Sequence, residues 1–440
     1  MVVILVKSDL TYPLWNGELR SAPGYPLGML ALTFDPRPRT LLLGGAASRL
    51  RPEWALVAGG PLGLREVRDP VRPRPEWALL EPVSTGVCGS DVKEALLQAS
   101  SDNPLSGLIS FPHVPGHEIL ARVVEPPSEG AVQAGQLVAV DPWLGCRARG
   151  LDHLCPACER GFPPHCRWVR SGGPWGSGYG MHLGNVRGLP GGFAPRITAH
   201  ASQLHPLPPA MPAELAVLAD PVAVALHALD RVEGDPEMVL VLGAGTIGLS
   251  LALAARRRWP GAELLVTCAW AHQRRLVEGV PGVPVPPTAA AVLQKVAELT
   301  GAGLVRPWRG GQWALDAGPD LVLDSIGTPG TVELALRAVR PRGQLVTVGV
   351  ARPGRAENTL AYFKEVRQAG SNGYGRAPAG HQLDLALALL EADRELVSEW
   401  ITHRFPLDLW REAFRAAARP DRSGAVKVVL TPERAAHPGR

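Results

Sequence analysis

Long apolar runs are missing from this 440-residue chain. No segment approaches the ~18 consecutive apolar residues that a membrane-spanning helix needs. Met1–Lys7 holds only five apolar residues after Met1, and Asp9 follows without a small-residue cleavage site. That opening reads as a strand over Val2–Val6 rather than a secretory signal. Dense basic runs are also missing. The net charge is +4 and nearly all the positive charge is arginine, spread rather than clustered, so nucleic acid is not an expected partner. Cysteine is scarce, six residues in all, which excludes a secreted disulfide scaffold. Four of the six are clustered, and this points to metal in a reducing, cytoplasmic setting. Glycine and proline make up about a fifth of the chain, below the ~25–30% that marks disorder. The length suits two or three domains with real cores.

What is present is organised around Val239–Ala252. Four apolar residues make a buried strand, Gly243, Gly245 and Gly248 fall in G-x-G-x-x-G spacing, and Leu249–Arg258 can run on as a helix. The glycines allow a tight turn, close backbone approach to a pyrophosphate and close helix-on-strand packing. The free N–H groups of the helix start, including Thr246 and Ile247, suit phosphate. Strand and helix signals alternate around this turn: Leu264–Thr267, Ala289–Thr300, Leu321–Asp324, Val332–Val339 and Gln344–Val348. That alternation predicts a parallel sheet of βαβ units. Upstream, Ala213–Leu229 reads as helical with an interruption near Asp220-Pro221. Downstream come helices over Leu383–Ala392 and Leu409–Ala418, with extended stretches over Trp400–Arg404 and Ala425–Leu430.

The front half has another texture. Met29–Phe34, Thr40–Leu43, Trp54–Val57 and Trp77–Val83 are short strand-like runs broken by turn signals, which predicts a β-rich domain. Residues 142–195 are rich in Gly, Pro and Cys, a length of irregular chain that calls for a metal or a function.

Two donor groups carry the chemistry. In the first, Gly-Val-Cys88-Gly-Ser90-Asp91 is followed 29 residues after the cysteine by His117-Glu118. A thiolate and an imidazole are good Zn²⁺ ligands, and a catalytic zinc needs three protein ligands and one open position. Glu118 or Asp220 can be the third. Ser90 is placed to pass an alcohol proton outward. The second group is Cys146, Cys155, Cys158 and Cys166, a set suited to a closed structural zinc that pins the lobe. Cys268 ends a predicted strand and reads as a core thiol. A zinc knuckle for nucleic acid is a rival reading of the second group, but a neighbouring basic and aromatic stripe is lacking.

These motifs, in this order, resemble the zinc-dependent medium-chain alcohol dehydrogenases, closest to the polyol, threonine and glucose dehydrogenase branch with a carboxylate ligand. The likeness covers about residues 29–440. It implies an α/β protein: a GroES-like β-rich catalytic domain, 29–211 and 373–440, with a Rossmann domain, 212–372, and an extension, 1–28. It implies Cys88 and His117 on catalytic zinc, a carboxylate at Glu118 or Asp220, a proton relay from Ser90 and support from Asp91. The family's structural site usually reads Cys-x2-Cys-x2-Cys-x7-Cys; this chain has Asp152 at the first of those positions, and Cys146, six residues earlier, is preferred because a thiolate suits that site better. One zinc at each group, an NAD(P) cofactor, an alcohol or carbonyl substrate and a homodimer or homotetramer are expected. Near Cys268 no acid is present to hold a ribose 2′-hydroxyl, while Arg274 and Arg275 follow, which favours NADP. The Gly172–Gly192 stretch, with Trp175, Tyr179, Met181 and His182, is placed to border the cleft. The alternative is a nucleotide-binding, zinc-containing sensor without turnover.

Overall fold

The computed structural model describes residues 28–48, 52–56, 60–98, 103–173, 178–350, 354 and 358–432. The Val2–Val6 strand, nearly all of the 1–28 extension and Trp175 lie outside the described residues. Two sheets dominate. The first runs Ile401–Pro406, Lys427–Thr431, Trp77–Val87, Glu118–Glu125, Leu137–Val140 and Leu204–Pro206, with Ile197–His200 also paired to Trp77–Val87. Its pairings are antiparallel except that of Ile401–Pro406 with Lys427–Thr431, so the last strands of the chain return to the sheet begun by its front half. The helix Trp410–Ala418 makes that parallel crossover.

The second sheet is parallel throughout. Its spatial order is Val283–Val285, Glu263–Thr267, Met238–Leu242, Leu321–Asp324, Gln344–Thr347, Arg367–Gly370. Counted along the chain, that is the doubly wound order 3-2-1-4-5-6, which opens a crevice where the order reverses, at the carboxyl ends of Met238–Leu242 and Leu321–Asp324. The strands read as near-continuous Val and Leu because helices cover both faces. One hydrophobic core spans the two sheets: Leu120, Ala139 and Val429 of the first pack in the same cluster as Val241 and Leu323 of the second, through the helices Ala219–Leu229 and Gln382–Ala392.

Two sequence expectations fail in the front part. Thr40–Leu43, read as extended, lies within the helix Pro38–Ser48, and the run from Trp54 forms a 3₁₀ turn, Pro52–Leu56. Proline at the first helical position followed by leucine and alanine favours a helix. The strand that does pair with Met29–Phe34 is Leu62–Val67. In the helical stretch before the glycine turn, Ala213–Leu218 is 3₁₀ and Ala219–Leu229 is α. Asp220 is in the first turn of the α-helix, with Leu218 at the N-cap position, so the interruption expected near Asp220-Pro221 is the change from 3₁₀ to α. No helix among the described residues is long and apolar enough to cross a membrane.

Candidate active site and thiolate cluster

The glycine turn follows Met238–Leu242 directly. Gly243 has φ +97° and its N–H donates to Thr267 Oγ1 at 2.8 Å, tying the turn to the end of the neighbouring strand. A Cβ on Gly248 would lie 1.9 Å from the Gly243 carbonyl oxygen, so only glycine lets the helix Thr246–Arg258 start this close to the strand. Gly245 is the exposed N-cap residue with open space where a Cβ would be, and Thr246 and Ile247 follow half-buried. Thr246 Oγ1 donates to the Val426 carbonyl at 2.9 Å, a link from the turn to the first sheet. Glu263–Thr267 ends in Cys268, buried. Arg274 is exposed on the following helix, and Arg275, also exposed, pairs with Glu399 at 3.3 Å.

Cys88 ends the strand Trp77–Val87 and caps the short helix Gly89–Ala95. Its N–H donates to Asp91 Oδ2 at 2.9 Å, which fixes the loop from which the sulfur projects. His117 stands just before Glu118–Glu125, after Gly116 with φ +95°. Its Nδ1 is 3.8 Å from Asp91 Oδ1. Glu118 lies opposite Gly86 in the strand pairing, and a Cβ on Gly86 would meet Glu118 Oε2 at 1.9 Å. The glycine before the cysteine therefore makes room for the carboxylate. One ligand atom each from Cys88, His117 and Glu118 fall within 4.8 Å of one another. Ser90 is exposed beside them.

The surroundings are charged and buried. Burial works against a charged His117, but Asp91 and the Cys88 sulfur outweigh it and hold its pKa well above the usual range. Asp91 is pushed up to about 6, chiefly by burial, with His117 pulling it the other way. Lys427 Nζ meets Glu118 Oε2 at 2.5 Å, both side chains buried. Asp220 is outside the three-donor group. Its Oδ1 accepts the Tyr374 hydroxyl at 2.8 Å, and burial raises it to about 7. His182, half-buried, lies 5.0 Å ring to ring from His117 and edge-on to Trp143 at 5.2 Å. Its Nδ1 is 2.6 Å from the Leu183 carbonyl, and burial pushes its pKa down to about 3, so the ring is neutral. Lys427, Tyr374 and Trp143 were absent from the sequence reading; lysine's rarity in this chain is the one signal that singles out Lys427.

In the irregular lobe, ligand atoms of Cys146, Cys155, Cys158 and Cys166 gather within 4.8 Å, and none is in a disulfide. Backbone N–H groups already point at the sulfurs: Cys155 N–H to Cys146 at 3.3 Å, Cys146 N–H to Cys158 at 3.4 Å and Arg167 N–H to Cys155 at 3.4 Å. Asp152 is exposed and outside this group. Both donor sets suit zinc: four sulfurs close a tetrahedron, whereas sulfur, nitrogen and oxygen leave one position open.

Comparison with known proteins agrees in sequence and fold. Residues 74–209 match the profile of the alcohol dehydrogenase GroES-like domain. D-altritol 5-dehydrogenase of Agrobacterium fabrum is 28% identical over 370 residues, covering 82% of this chain and 93% of that protein. Galactitol 1-phosphate 5-dehydrogenase of Escherichia coli K12 is 26% identical over 357 residues, 79% of this chain and 90% of its own length. The solved structure of galactitol-1-phosphate dehydrogenase from Escherichia coli superposes with a TM-score of 0.67 at 23% identity, covering 92% of this chain and all of that one. That of 2R,3R-butanediol dehydrogenase from Bacillus subtilis gives 0.66 at 20%, with the same coverage.

Proposed function

We propose that the chain is a zinc-type medium-chain alcohol dehydrogenase of the polyol branch, and that it oxidises a secondary hydroxyl of a polyol-type substrate, or reduces the matching carbonyl, with NAD(P). The observation that carries this reading is the meeting of Cys88, His117 and Glu118 donors within 4.8 Å, with Lys427, the partner of Glu118, next in sequence to Val426, whose carbonyl accepts the Thr246 hydroxyl of the glycine turn. Cys88, His117 and Glu118 would hold a zinc ion that supplies Lewis acidity, and Gly243, Gly245, Thr246, Ile247 and Gly248 would hold a nicotinamide dinucleotide that supplies the hydride chemistry. Asp91 orients the Cys88 loop and faces His117. Ser90, exposed beside Cys88, takes the hydroxyl proton toward solvent. Lys427 offsets the Glu118 charge in a buried site. Neutral His182 and Trp143 form a wall next to His117 that excludes water from that side.

In this reading Glu118 is the third protein ligand at the open site, and Asp220 acts through Tyr374 at its border. Cys146, Cys155, Cys158 and Cys166 hold a second, structural zinc. Residues 29–211 and 373–440 form the catalytic domain and 212–372 the nucleotide domain. NADP is favoured over NAD because no acid stands at the end of Glu263–Thr267 and Arg274 is free to meet a 2′-phosphate. Assembly as a homodimer or homotetramer completes the reading, tested by light scattering.

The test of function is reduced-nicotinamide absorbance with NAD and NADP against a panel of polyols, sugars and simple secondary alcohols. Turnover with polyols that disappears on chelation and returns with zinc is expected. Nucleotide binding without turnover across the panel, in protein carrying zinc at both clusters, would replace the enzyme with a sensor.

A further inference from the structure

Another set of donor side chains lies apart from both clusters. Asp141 immediately follows the strand Leu137–Val140, His205 stands in the adjacent strand Leu204–Pro206, and His381 caps the helix Gln382–Ala392. The strand pairing sets Ala139 opposite His205, and the Asp141 N–H continues the ladder to the Gln203 carbonyl at 2.8 Å. The helix start then brings His381 over this strand end. One ring nitrogen from each histidine and one oxygen of Asp141 fall within 4.8 Å of one another. His381 Nε2 is 3.4 Å from Asp141 Oδ2, a separation suited to two ligands on one tetrahedral ion. Asp141 Oδ1 is engaged by the Trp143 N–H at 3.0 Å, which turns the other oxygen toward the rings.

Two further observations point to a cation rather than to a plain hydrogen-bonded cluster. His205 is only 7% exposed, and its Nε2 is buried without any hydrogen-bond partner. A buried ring nitrogen left without a partner is uncommon in folded proteins. Its Nδ1 is 2.6 Å from Asp384 Oδ1. A carboxylate on one nitrogen fixes the proton there and leaves the lone pair on the other, the arrangement that accompanies histidine ligands of metals. The charges also balance, since Asp141 and Asp384 together would neutralise a divalent ion.

We propose that Asp141, His205 and His381 form a third metal site, distinct from the two clusters above, which takes Zn²⁺ or a similar divalent transition ion with Asp384 as the positioning carboxylate. Two imidazoles and one carboxylate suit such ions and leave a position for water. Loading moves the His381 proton from Nε2, which faces Asp141, to Nδ1, so the ring stays neutral and binds through Nε2. It also gives up the bond that Leu383 N–H makes to His381 Nδ1, which is long at 3.3 Å. Entry is open past Asp384, whose side chain is 57% exposed. An ion here fastens the first sheet to the helix Gln382–Ala392, where the chain begins its return to that sheet. This site does not depend on the redox reading.

The experiment uses the full chain, stripped by chelator and dialysed to equilibrium against low free zinc, with zinc counted per chain by mass spectrometry. His205→Ala and His381→Gln should each bind one zinc fewer than wild type, with turnover and nucleotide binding kept. Asp384→Asn should keep the site with weaker affinity, by the ~10–100-fold expected when a carboxylate that orients a ligand is lost. Anomalous diffraction from wild-type crystals grown at the same free zinc should show a peak between the three side chains, and this readout needs no variant to fold. Equal zinc counts in wild type and His205→Ala, or wild-type crystals with no anomalous peak at that position, would overturn the proposal.

Discussion

The thiolate cluster and the Cys88 cluster are built on opposite principles. The first stands in a lobe with little regular structure, held by short helical turns and by N–H groups aimed at sulfur. Its four donors are of one kind and close on themselves. The second stands on the ends of sheet strands, mixes three donor types, and brings a buried lysine and an aspartate to hold them. Where backbone order is missing, four like donors converge; where the sheet supplies it, three unlike donors converge and would leave a coordination position open.

The comparison is broken or sharpened by a graded series. The largest effect belongs to Cys88→Ala, expected to lower kcat/KM by about three orders of magnitude or more, because Lewis-acid stabilisation is worth several kcal/mol. Its unfolding midpoint in urea should stay close to wild type; a comparable loss of stability would erase the distinction. Cys158→Ala should do the reverse in kind. Loss of a structural ion falls in the upper range of single-site effects, about 4–5 kcal/mol, read from denaturant unfolding with and without chelator. Full stability in that variant would mean the lobe orders itself without an ion.

Lys427→Met comes next. Removing one partner of a buried ion pair leaves the other uncompensated, at a cost of about 3–5 kcal/mol. Combining it with Glu118→Gln should recover part of that cost, and additive losses in the double-mutant cycle would argue that the two charges are independent. The smallest effect is set for Arg274→Ala, about a tenfold drop in kcat/KM with NADP and little change with NAD, on the order of 1.4 kcal/mol. Equal changes with both cofactors would remove Arg274 from 2′-phosphate recognition.

The parts of this molecule legible in its sequence are the local ones. The glycine turn, the Cys155–Cys158 knuckle and the Cys88 and His117 motifs depend on spacing along a few residues, and the two textures of the chain foretold the two kinds of sheet. Pairings across the chain left no such trace. Glu118 and Lys427 are 309 positions apart, Tyr374 and Asp220 154, and only the return of the final strand brings the first pair together. Thr40–Leu43 misled because a short leucine-rich run fits either helix or strand, and Pro38 decided for the helix. Asp220, in the Asp-Pro pair that read as an interruption, lies inside the first turn because the α-helix begins at Ala219, straight after a 3₁₀ segment.

Two backbone carbonyls, at Val350 and Val426, receive side chains from the opposite sheet's elements: Lys93 reaches the first, and the Thr246 hydroxyl the second. Val426 precedes Lys427, the counter-charge of Glu118. The strand that carries the counter-charge of Glu118 is thus the one that the helix after the glycine turn leans on. Under the proposed function, nucleotide at that helix and an ion at Glu118 would be joined through these neighbouring residues, so occupancy on one side of the crevice would be felt as position on the other.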